Sequence, residues 1–148
     1  MTSTSDPFQP EPLTILEDPD RQEVHFLEDR LYEYNVATTG ISDGCLLAIF
    51  LRDPQNEIIA GLYGWTWGGC CEVKTLWVHE KLRGRGLGTR LMQAAEQEAR
   101  RRGATQIVLN THSFQAPSFY ERLGFERVGY NEDYPVGYQL VFLRKRLE

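Results

Sequence analysis

The apolar positions of the chain first follow a helical spacing and then, after residue 40, the spacing of strands. Four apolar residues recur every three or four positions, which predicts a helix that buries one face. Asp20 is a suitable N-cap for this helix, Glu23 stands at capping-box spacing, and Gly40 would end it. Just before the helix, the apolar run Leu13 to Leu16 predicts a short strand. The apolar helix positions are Val24, Leu27, Leu31 and Tyr34.

Three apolar segments with strand spacing follow, and turn residues separate each from the next. The sequence Asp-Pro-Gln-Asn at 53–56 and the Gly-Gly pair at 68–69 have the composition of tight connections. In the middle segment, Tyr63, Trp65 and Trp67 alternate, so they should share one face of a sheet. These features predict consecutive antiparallel strands at Cys45 to Leu51, Ile58 to Trp67 and Cys71 to Val78.

The second half of the chain returns to helical spacing after a loop rich in Gly and Arg, residues 82–89. Three arginines at 100–102 suit the C-terminal end of the dipole of a long helix, and Gly103 would close it. The apolar face of this helix consists of Leu87, Leu91, Met92, Ala95 and Ala99. The remaining elements are a buried strand of parallel type at 105–109, a short helix at 117–123 and two closing strands at 125–130 and 137–143. The order predicts an α/β (α+β) fold with a mixed, mostly antiparallel central sheet flanked by helices.

Composition indicates an ordinary globular domain. The chain has 148 residues, 41% of them hydrophobic, which fits one domain at 13–148 after a polar, Pro-rich flexible tail at 1–12. The tail lacks the apolar stretch of a secretory signal, and no apolar run approaches the roughly 18 residues of a membrane helix. Three cysteines give no disulfide framework, so we expect a reduced, cytoplasmic compartment. The net charge of −5 argues against a nucleic-acid partner and suits a cationic small substrate.

The loop between the third strand and the long helix carries the richest chemical signal. Its glycines at 84, 86 and 88 let the backbone approach a ligand closely, and the helix that begins there offers free N–H groups. Arg83 and Arg85 add full positive charges, so the loop predicts an anion site suited to a pyrophosphate. The dinucleotide pattern GxGxxG fails because Thr89, not Gly, stands three residues after Gly86, and no Lys completes a Walker loop.

The loop does match another pattern: Arg or Gln, two residues, Gly, one residue, then Gly or Ala. In this form, Arg83 to Gly88 resembles the pyrophosphate loop of the GCN5-related N-acetyltransferase (GNAT) family. Thr111 to Phe125 is similar to a second segment of that family, with Ala116, Tyr120, Gly124 and Phe125 at the family's positions. Ser113 stands where the family usually has Asn. Two motifs at family spacing make the resemblance strong, and it spans roughly residues 45–145.

The resemblance implies the acyl-CoA N-acyltransferase fold, with acetyl-CoA as cosubstrate, no metal, and direct transfer of the acetyl group to an amine of a small molecule or peptide. The pantetheine arm would pair with the backbone of Leu76 to Val78 as an extra strand. The Val78 N–H would then donate to the thioester oxygen. The implied cofactor-binding residues are Leu76, Trp77, Val78, Arg83, Gly84, Arg85, Gly86, Leu87, Gly88, Thr89 and Ser113.

Two residues are candidates for proton transfer. Tyr120 matches the position where the family often has a catalytic Tyr, and a phenol can protonate a departing thiolate. The alternative is a packing role beside Phe119 and Leu123. Glu72, six residues before Val78, resembles the glutamate base of some members, and a water relay is its alternative. Strand alternation places Glu72 on the same face as Val78 if no bulge intervenes.

Other features allow roles that the sequence does not assign. His79 precedes the glycine loop and His112 lies near the start of the second motif. Asp133 and Tyr134 precede the last strand, and the aromatic stripe at 63–67 could wall an acceptor pocket. The adjacent Cys70 and Cys71 could serve a route through an acetylated thiol. Alternative functions are an acyl-CoA sensor without catalysis, a different acyl donor and a hydroxyl acceptor. The resemblance also leaves a homodimer open.

Overall fold

The computed structural model of the chain describes Asp6, Phe8 and residues 12–148. The chain divides into two compact units, Met1–Gly40 and Ile41–Glu148. Most of the predicted tail, residues 1–12, lies outside the described residues, so its flexibility stays a prediction.

The first unit contains one helix, α1, Arg21–Thr39. The Asp20 side chain caps it by accepting from the Gln22 N–H at 2.9 Å, and Gly40 ends it with φ 74°. The predicted strand at Leu13 to Leu16 is wrong: this segment has irregular backbone. A strand needs a hydrogen-bonded partner, and the described residues of this unit supply none. The predicted burial of one face of α1 is not observed either, because none of its residues is buried.

The second unit is built on a six-stranded sheet with the order β1-β2-β3-β4-β6-β5. Its strands are β1 Cys45–Arg52, β2 Ile58–Trp67, β3 Cys70–Val78, β4 Gln106–His112, β5 Glu126–Glu132 and β6 Gln139–Arg146. Only β3 and β4 run parallel among these pairs, which confirms the mixed, mostly antiparallel sheet. The closing strands begin and end one to three residues later than predicted. Among the described residues, no helix is both long enough and apolar enough to cross a membrane.

The core of this unit lies between the sheet and the second helix, α2, Leu87–Arg101. Of the five residues predicted for its apolar face, Leu91, Met92, Ala95 and Ala99 are buried, and Leu87, at the start of the helix, is half-buried. The four buried residues pack with fully buried sheet residues such as Leu62 and Ile107. A third helix, α3, Pro117–Arg122, joins β4 to β5 and contributes Pro117 and Tyr120 to the buried set. A 3-10 helix, Glu80–Leu82, connects β3 to the glycine loop.

A bulge interrupts the ladder between β2 and β3. Tyr63 pairs with Thr75 but its neighbour Gly64 pairs with Val73, so Lys74 has no partner on β2. The extra residue shifts the alternation of β3 by one, so that the strand beyond it presents the opposite set of side chains to each face.

The parallel ladder between β3 and β4 is short. It joins Cys70–Val73 to Gln106–Leu109, and no pairing between β3 and β4 follows within the described chain. Since β3 continues to Val78 and β4 to His112, the two strands separate over their last residues. This separation opens a gap inside the sheet, and the glycine loop and α3 border it.

Candidate active site

The gap between β3 and β4 forms a cleft of about 780 Å³, a size typical of small-molecule sites. Residues of both sheet faces line it: Leu76 and Thr111 on the α2 face, and Thr75 and Asn110 on the other. The cleft therefore passes between the strands and is open to ligands on both sides of the sheet.

The predicted loop residues border one end of this cleft. Gly84 and Gly86 have φ values of 76° and 78°, the left-handed region that glycine adopts without strain. Gly86 is the N-cap of α2, and a Cβ built on either glycine would meet no atom within 4 Å. The loop thus presents open backbone at a helix N-terminus, which fits a pyrophosphate. The cleft-lining loop residues are Leu82, Arg83, Gly84, Gly86, Leu87, Gly88 and Thr89.

The free edge of β3 faces the same cleft. The His79 N–H donates to the Ile59 carbonyl on β2 at 2.9 Å, and backbone groups alternate along a strand, so the N–H and C=O of Val78 point away from β2. The Arg83 side chain donates to the Val78 carbonyl at 3.2 Å, in agreement with that direction. Leu76 has the same orientation by alternation. This edge can accept an extended ligand as a further strand, as the resemblance implies.

Tyr120 lines the cleft from α3. Its ring packs edge-on against Phe119 and Phe125, with centroid distances of 5.0 and 5.8 Å. The residue is 8% exposed, and burial raises the pKa of its phenol to about 12. Within the described residues its hydroxyl has no hydrogen-bond partner, so the proton is available to a ligand in the cleft. This position is compatible with both of its predicted roles, in packing and in acid catalysis.

The two sequence motifs meet at Gly88 and Phe119. A Cβ built on Gly88 would lie only 3.2 Å from Cζ of Phe119, so the α3 segment packs directly on the glycine loop. A side chain at residue 88 would require the Phe119 ring to shift. This contact brings Tyr120 and the loop to one cleft.

Glu72 lies on the other face of the sheet from Val78, so the same-face expectation is wrong. Glu72 pairs across the strands with Trp65, on the face opposite the buried Cys71 and Val73. Val78 packs against the core instead, because the Lys74 bulge reverses the alternation between them. Glu72 is also outside the set of cleft-lining residues. Its role as the base stays a prediction.

Three predicted cofactor-binding residues are not among those that line the cleft: Trp77, Arg85 and Ser113. The Ser113 hydroxyl accepts from the Gln139 N–H at 3.0 Å, and the Ser113 N–H donates to the Gln139 carbonyl at 2.8 Å. Ser113 thereby ties the end of β4 to the start of β6. Trp77 is 44% exposed on the face away from the core.

The adjacent Cys70 and Cys71 are poorly suited to act as nucleophiles. Burial raises the pKa of the Cys71 thiol to about 11 and also raises the pKa of Cys70. The reactive form of a thiol is the thiolate, which a raised pKa disfavours at neutral pH. The arrangement therefore favours direct transfer over a route through an acetylated cysteine.

The aromatic stripe lies outside the cleft. Tyr63, Trp65 and Trp67 share the sheet face away from α2, as their alternation predicts, and the Tyr63 and Trp65 rings meet edge-on at 6.2 Å. Sequence reasoning missed other cleft residues, since their positions depend on the bulge and on how the strands separate. They include Lys74, Asn110, Gln115 and Arg122.

Two curated relatives match two thirds or more of this chain. An acetyltransferase of Agrobacterium fabrum, Atu2258, is 37% identical over 120 residues, which are 81% of this chain and 88% of that protein. The blasticidin-S acetyltransferase of Streptomyces morookaense is 39% identical over 104 residues, 68% of this chain and 74% of that protein.

Solved structures of acetyltransferases have a similar fold. An acetyltransferase from Bacillus cereus superposes with a TM-score of 0.74 at 28% identity, covering 90% of this chain and 98% of that one. An aminoglycoside 6'-N-acetyltransferase, crystallised with coenzyme A, superposes with a TM-score of 0.59 at 21% identity, covering 68% and 72%. Residues 9–125 match the family described as Acetyltransferase (GNAT) family. The glycine loop, the separated strands and these matches together show that the chain belongs to the GNAT acetyltransferase family.

Proposed function

We propose that this protein transfers the acetyl group of acetyl-CoA directly to an amine of a small molecule or a peptide. The observation that carries the proposal is the cleft itself, in which the open glycine loop, the free edge of β3 and the Tyr120 phenol face one space. An anion site, a strand-like edge and a proton donor are what a pyrophosphate, a pantetheine arm and a leaving thiolate require.

Each part of the cleft has a task in this reaction. The backbone of the loop at Gly84 and Gly86 binds the pyrophosphate, and Arg83 adds positive charge. The edge at Leu76 holds the pantetheine arm, and the Val78 N–H stabilises the charge that develops on the thioester oxygen, an effect of about 3 kcal/mol for one such donor. Acetyl-CoA supplies the activated acetyl group.

Tyr120 is the proposed general acid. A thiolate leaves more easily when a proton reaches the sulfur as the C–S bond breaks. The phenol is protonated throughout the neutral range, because burial holds its pKa at about 12. Tyr120 therefore enters each cycle in the form that can donate.

An amine is the proposed acceptor because a relative that is 44% identical over 57 residues, 37% of this chain, is named an N-alpha-acetyltransferase. The blasticidin-S acetyltransferase suggests a small molecule as one carrier of that amine. The gap in the sheet supports direct transfer, since an acceptor can approach the thioester from the face opposite α2. The net charge of −5 is compatible with a cationic acceptor.

A panel of acceptors tests the proposal. Polyamines, amino acids, aminoglycosides, blasticidin S and peptides with free N-termini are incubated with acetyl-CoA, and thiol release is measured. The mass and fragmentation of the product distinguish N-acetylation from O-acetylation. Amine-dependent thiol release with an N-acetylated product is expected. Tight binding of acetyl-CoA without thiol release for any acceptor would favour the sensor, and an O-acetylated product would favour a hydroxyl acceptor.

A further inference from the structure

We propose that His112 is the base that takes a proton from the acceptor amine. The proposal rests on the amine acetyltransferase function argued above and assigns the proton acceptor of that reaction. It is carried by the position of His112 at the gap in the sheet and by the hydrogen bond that its ring makes.

His112 is the last residue of β4 and lines the cleft. Its neighbour Thr111 is buried on the α2 side, so alternation along the strand directs His112 to the other face. Tyr120 approaches the cleft from α3, which packs on the α2 side. The acid and the base therefore border the gap from opposite faces of the sheet. Direct transfer requires this arrangement if the two ligands enter the gap from opposite sides.

The His112 ring is held in one orientation by its neighbours. It stacks parallel to the Phe114 ring, with centroids 5.3 Å apart and planes within 2°. The Tyr134 ring also contacts it, edge-on, with centroids 5.1 Å apart. The His112 backbone N–H donates to the Gln115 side-chain oxygen at 2.7 Å. The two ring contacts and a hydrogen bond of Nδ1 restrain the imidazole, and general base catalysis needs a base in a constant position.

The hydrogen bond of Nδ1 settles which nitrogen of the neutral ring has a free lone pair. Nδ1 of His112 lies 2.9 Å from the backbone carbonyl oxygen of Tyr134. A carbonyl oxygen only accepts, so Nδ1 carries the proton and donates it. In the neutral ring, Nε2 is then unprotonated, and its lone pair can take a proton.

The other histidine near the loop has the opposite tautomer. Nδ1 of His79 accepts from the Lys81 backbone N–H at 3.1 Å, and a backbone amide only donates. In neutral His79 the proton is therefore on Nε2, and the only lone pair of the ring is already bound in the cap of the 3-10 helix. Of these two histidines, only His112 has a ring nitrogen free to act as a base.

The charged and titratable groups around His112 come from several elements. Tyr134 contacts its ring from the segment between β5 and β6, next to Asp133, whose carboxylate accepts from the Gly137 N–H at 3.2 Å. Across the cleft, Lys74 lies on β3, and Arg83 follows the 3-10 helix. On α3, Tyr120 and Arg122 line the same space.

Two proton transfers accompany the transfer of the acetyl group from sulfur to nitrogen. The amine lone pair forms the C–N bond, the carbonyl π pair moves to oxygen, and Nε2 of His112 takes one N–H proton. The oxygen pair then restores the C=O bond, the C–S bond breaks with its electron pair on sulfur, and the sulfur takes the Tyr120 proton. The proton on His112 returns to the Tyr120 phenolate through solvent. Amine and thioester become amide and thiol, with no net gain or loss of protons.

The main test is His112→Gln, whose side chain can keep a donor for the Tyr134 carbonyl but has no basic nitrogen. The acceptor probe is the amine with the highest turnover in the panel, assayed at saturating acetyl-CoA. We expect kcat to fall by about a hundredfold or more, while the KM for acetyl-CoA stays near that of the parent. The loss should persist at pH values above the pKa of the acceptor ammonium, because His112 takes its proton from an amine that has already attacked as the neutral form.

Chemical rescue keeps the test informative if the substitution disturbs packing. Free imidazole added to His112→Gly should restore part of the turnover in proportion to its basic form. The matched control is His79→Asn, which keeps an oxygen acceptor for the Lys81 N–H and should retain parental turnover. Thermal unfolding and acetyl-CoA binding of each variant show that the fold is intact.

Four results separate the outcomes. Parental kcat in His112→Gln would overturn the proposal, provided that chemistry limits the rate. A large loss in Glu72→Gln with parental kcat in His112→Gln would assign the base to Glu72 instead. If the parent protein transfers acetyl to no amine, the proposed function itself fails. Loss in His112→Gln, together with imidazole rescue of His112→Gly, is the result that supports His112.

Discussion

Gly64 on β2 lies against the backbone of Glu72 on β3, so closely that a Cβ built on Gly64 would be 2.0 Å from the Glu72 carbonyl oxygen. The contact sits directly beside the Lys74 bulge, where the register of the two strands shifts. Backbone this close leaves no room for any side chain at residue 64. The bulge, and with it the course of β3 along the cleft, depends on this glycine.

Gly64→Ala should therefore destabilise the fold. The added methyl group meets backbone atoms that cannot move without breaking the β2–β3 ladder, and overpacking of this kind costs about 1–3 kcal/mol. Thermal and denaturant unfolding would measure the change. Gly129→Ala is a suitable control, since a Cβ there has no neighbour closer than 4.0 Å. Equal stabilities of the two variants would show that the sheet adapts to a side chain at 64.

Tyr120→Phe should lower turnover by about a hundredfold or more and leave acetyl-CoA affinity unchanged. The substitution removes only the hydroxyl, and the ring keeps its contacts with Phe119 and Phe125. Steady-state kinetics with calorimetry of cofactor binding would check both parts. Near-parental turnover, with chemistry shown to limit the rate, would mean that Tyr120 is a packing residue only.

The raised pKa of Tyr120 gives a prediction at alkaline pH. Burial disfavours the phenolate, so the folded group keeps its proton up to a pKa of about 12. In the unfolded chain, tyrosine loses its proton near the ordinary value of about 10. Between these values the unfolded state binds fewer protons, so the stability that this group contributes falls as the pH rises.

The parent should thus lose stability between about pH 10 and pH 12 relative to Tyr120→Phe, which has no proton to lose at this site. Denaturant unfolding of both proteins across that range measures the difference between their free energies of unfolding. Other titratable groups such as Cys71 are present in both proteins, so their contributions cancel in this difference. A stability difference that does not change with pH would show that the phenol ionises normally in the folded protein.

Gly86→Glu should weaken acetyl-CoA binding by about tenfold or more, which is about 1.4 kcal/mol. The new carboxylate would repel the pyrophosphate and occupy the open backbone at the N-terminus of α2. The left-handed φ of 78° would also cost a non-glycine residue about 1–2 kcal/mol of stability.

Gly103→Glu controls for that strain. Gly103 follows the C-terminal end of α2, has φ 82°, and a Cβ there meets no atom within 4 Å, yet it is outside the cleft-lining set. The two variants should lose similar stability, while only Gly86→Glu loses affinity in calorimetry. Equal acetyl-CoA affinities of the two variants would show that the loop does not bind the cofactor.

The sequence by itself determined the elements and the two motifs. Periodicity placed α2 with its buried face at Leu91, Met92, Ala95 and Ala99, because helix geometry repeats every 3.6 residues whatever lies around it. The glycines of the loop were also evident, since the left-handed conformation is a local property of the backbone. Local rules therefore sufficed for the fold class and for the conformation of the glycine loop.

Local rules failed where a position depends on a distant partner. The apolar run Leu13 to Leu16 has strand composition but is not a strand, since a ladder requires a second chain segment. Glu72 was expected on the face of Val78, and an extra residue at Lys74, accommodated against Gly64, moved it to the other face. The residue pattern within β3 does not predict that bulge.

Only the tertiary structure decided which residues share the cleft. The separation of β3 from β4 after four pairs places His112 and Tyr120 on one gap, although a turn at residues 113–115 and the start of α3 lie between them in the chain. The tautomer of His112 likewise depends on the carbonyl of Tyr134, 22 residues away. Periodicity shows which face of an element is apolar. A site depends instead on how separate elements pack, and this packing is set by contacts between residues far apart in the sequence.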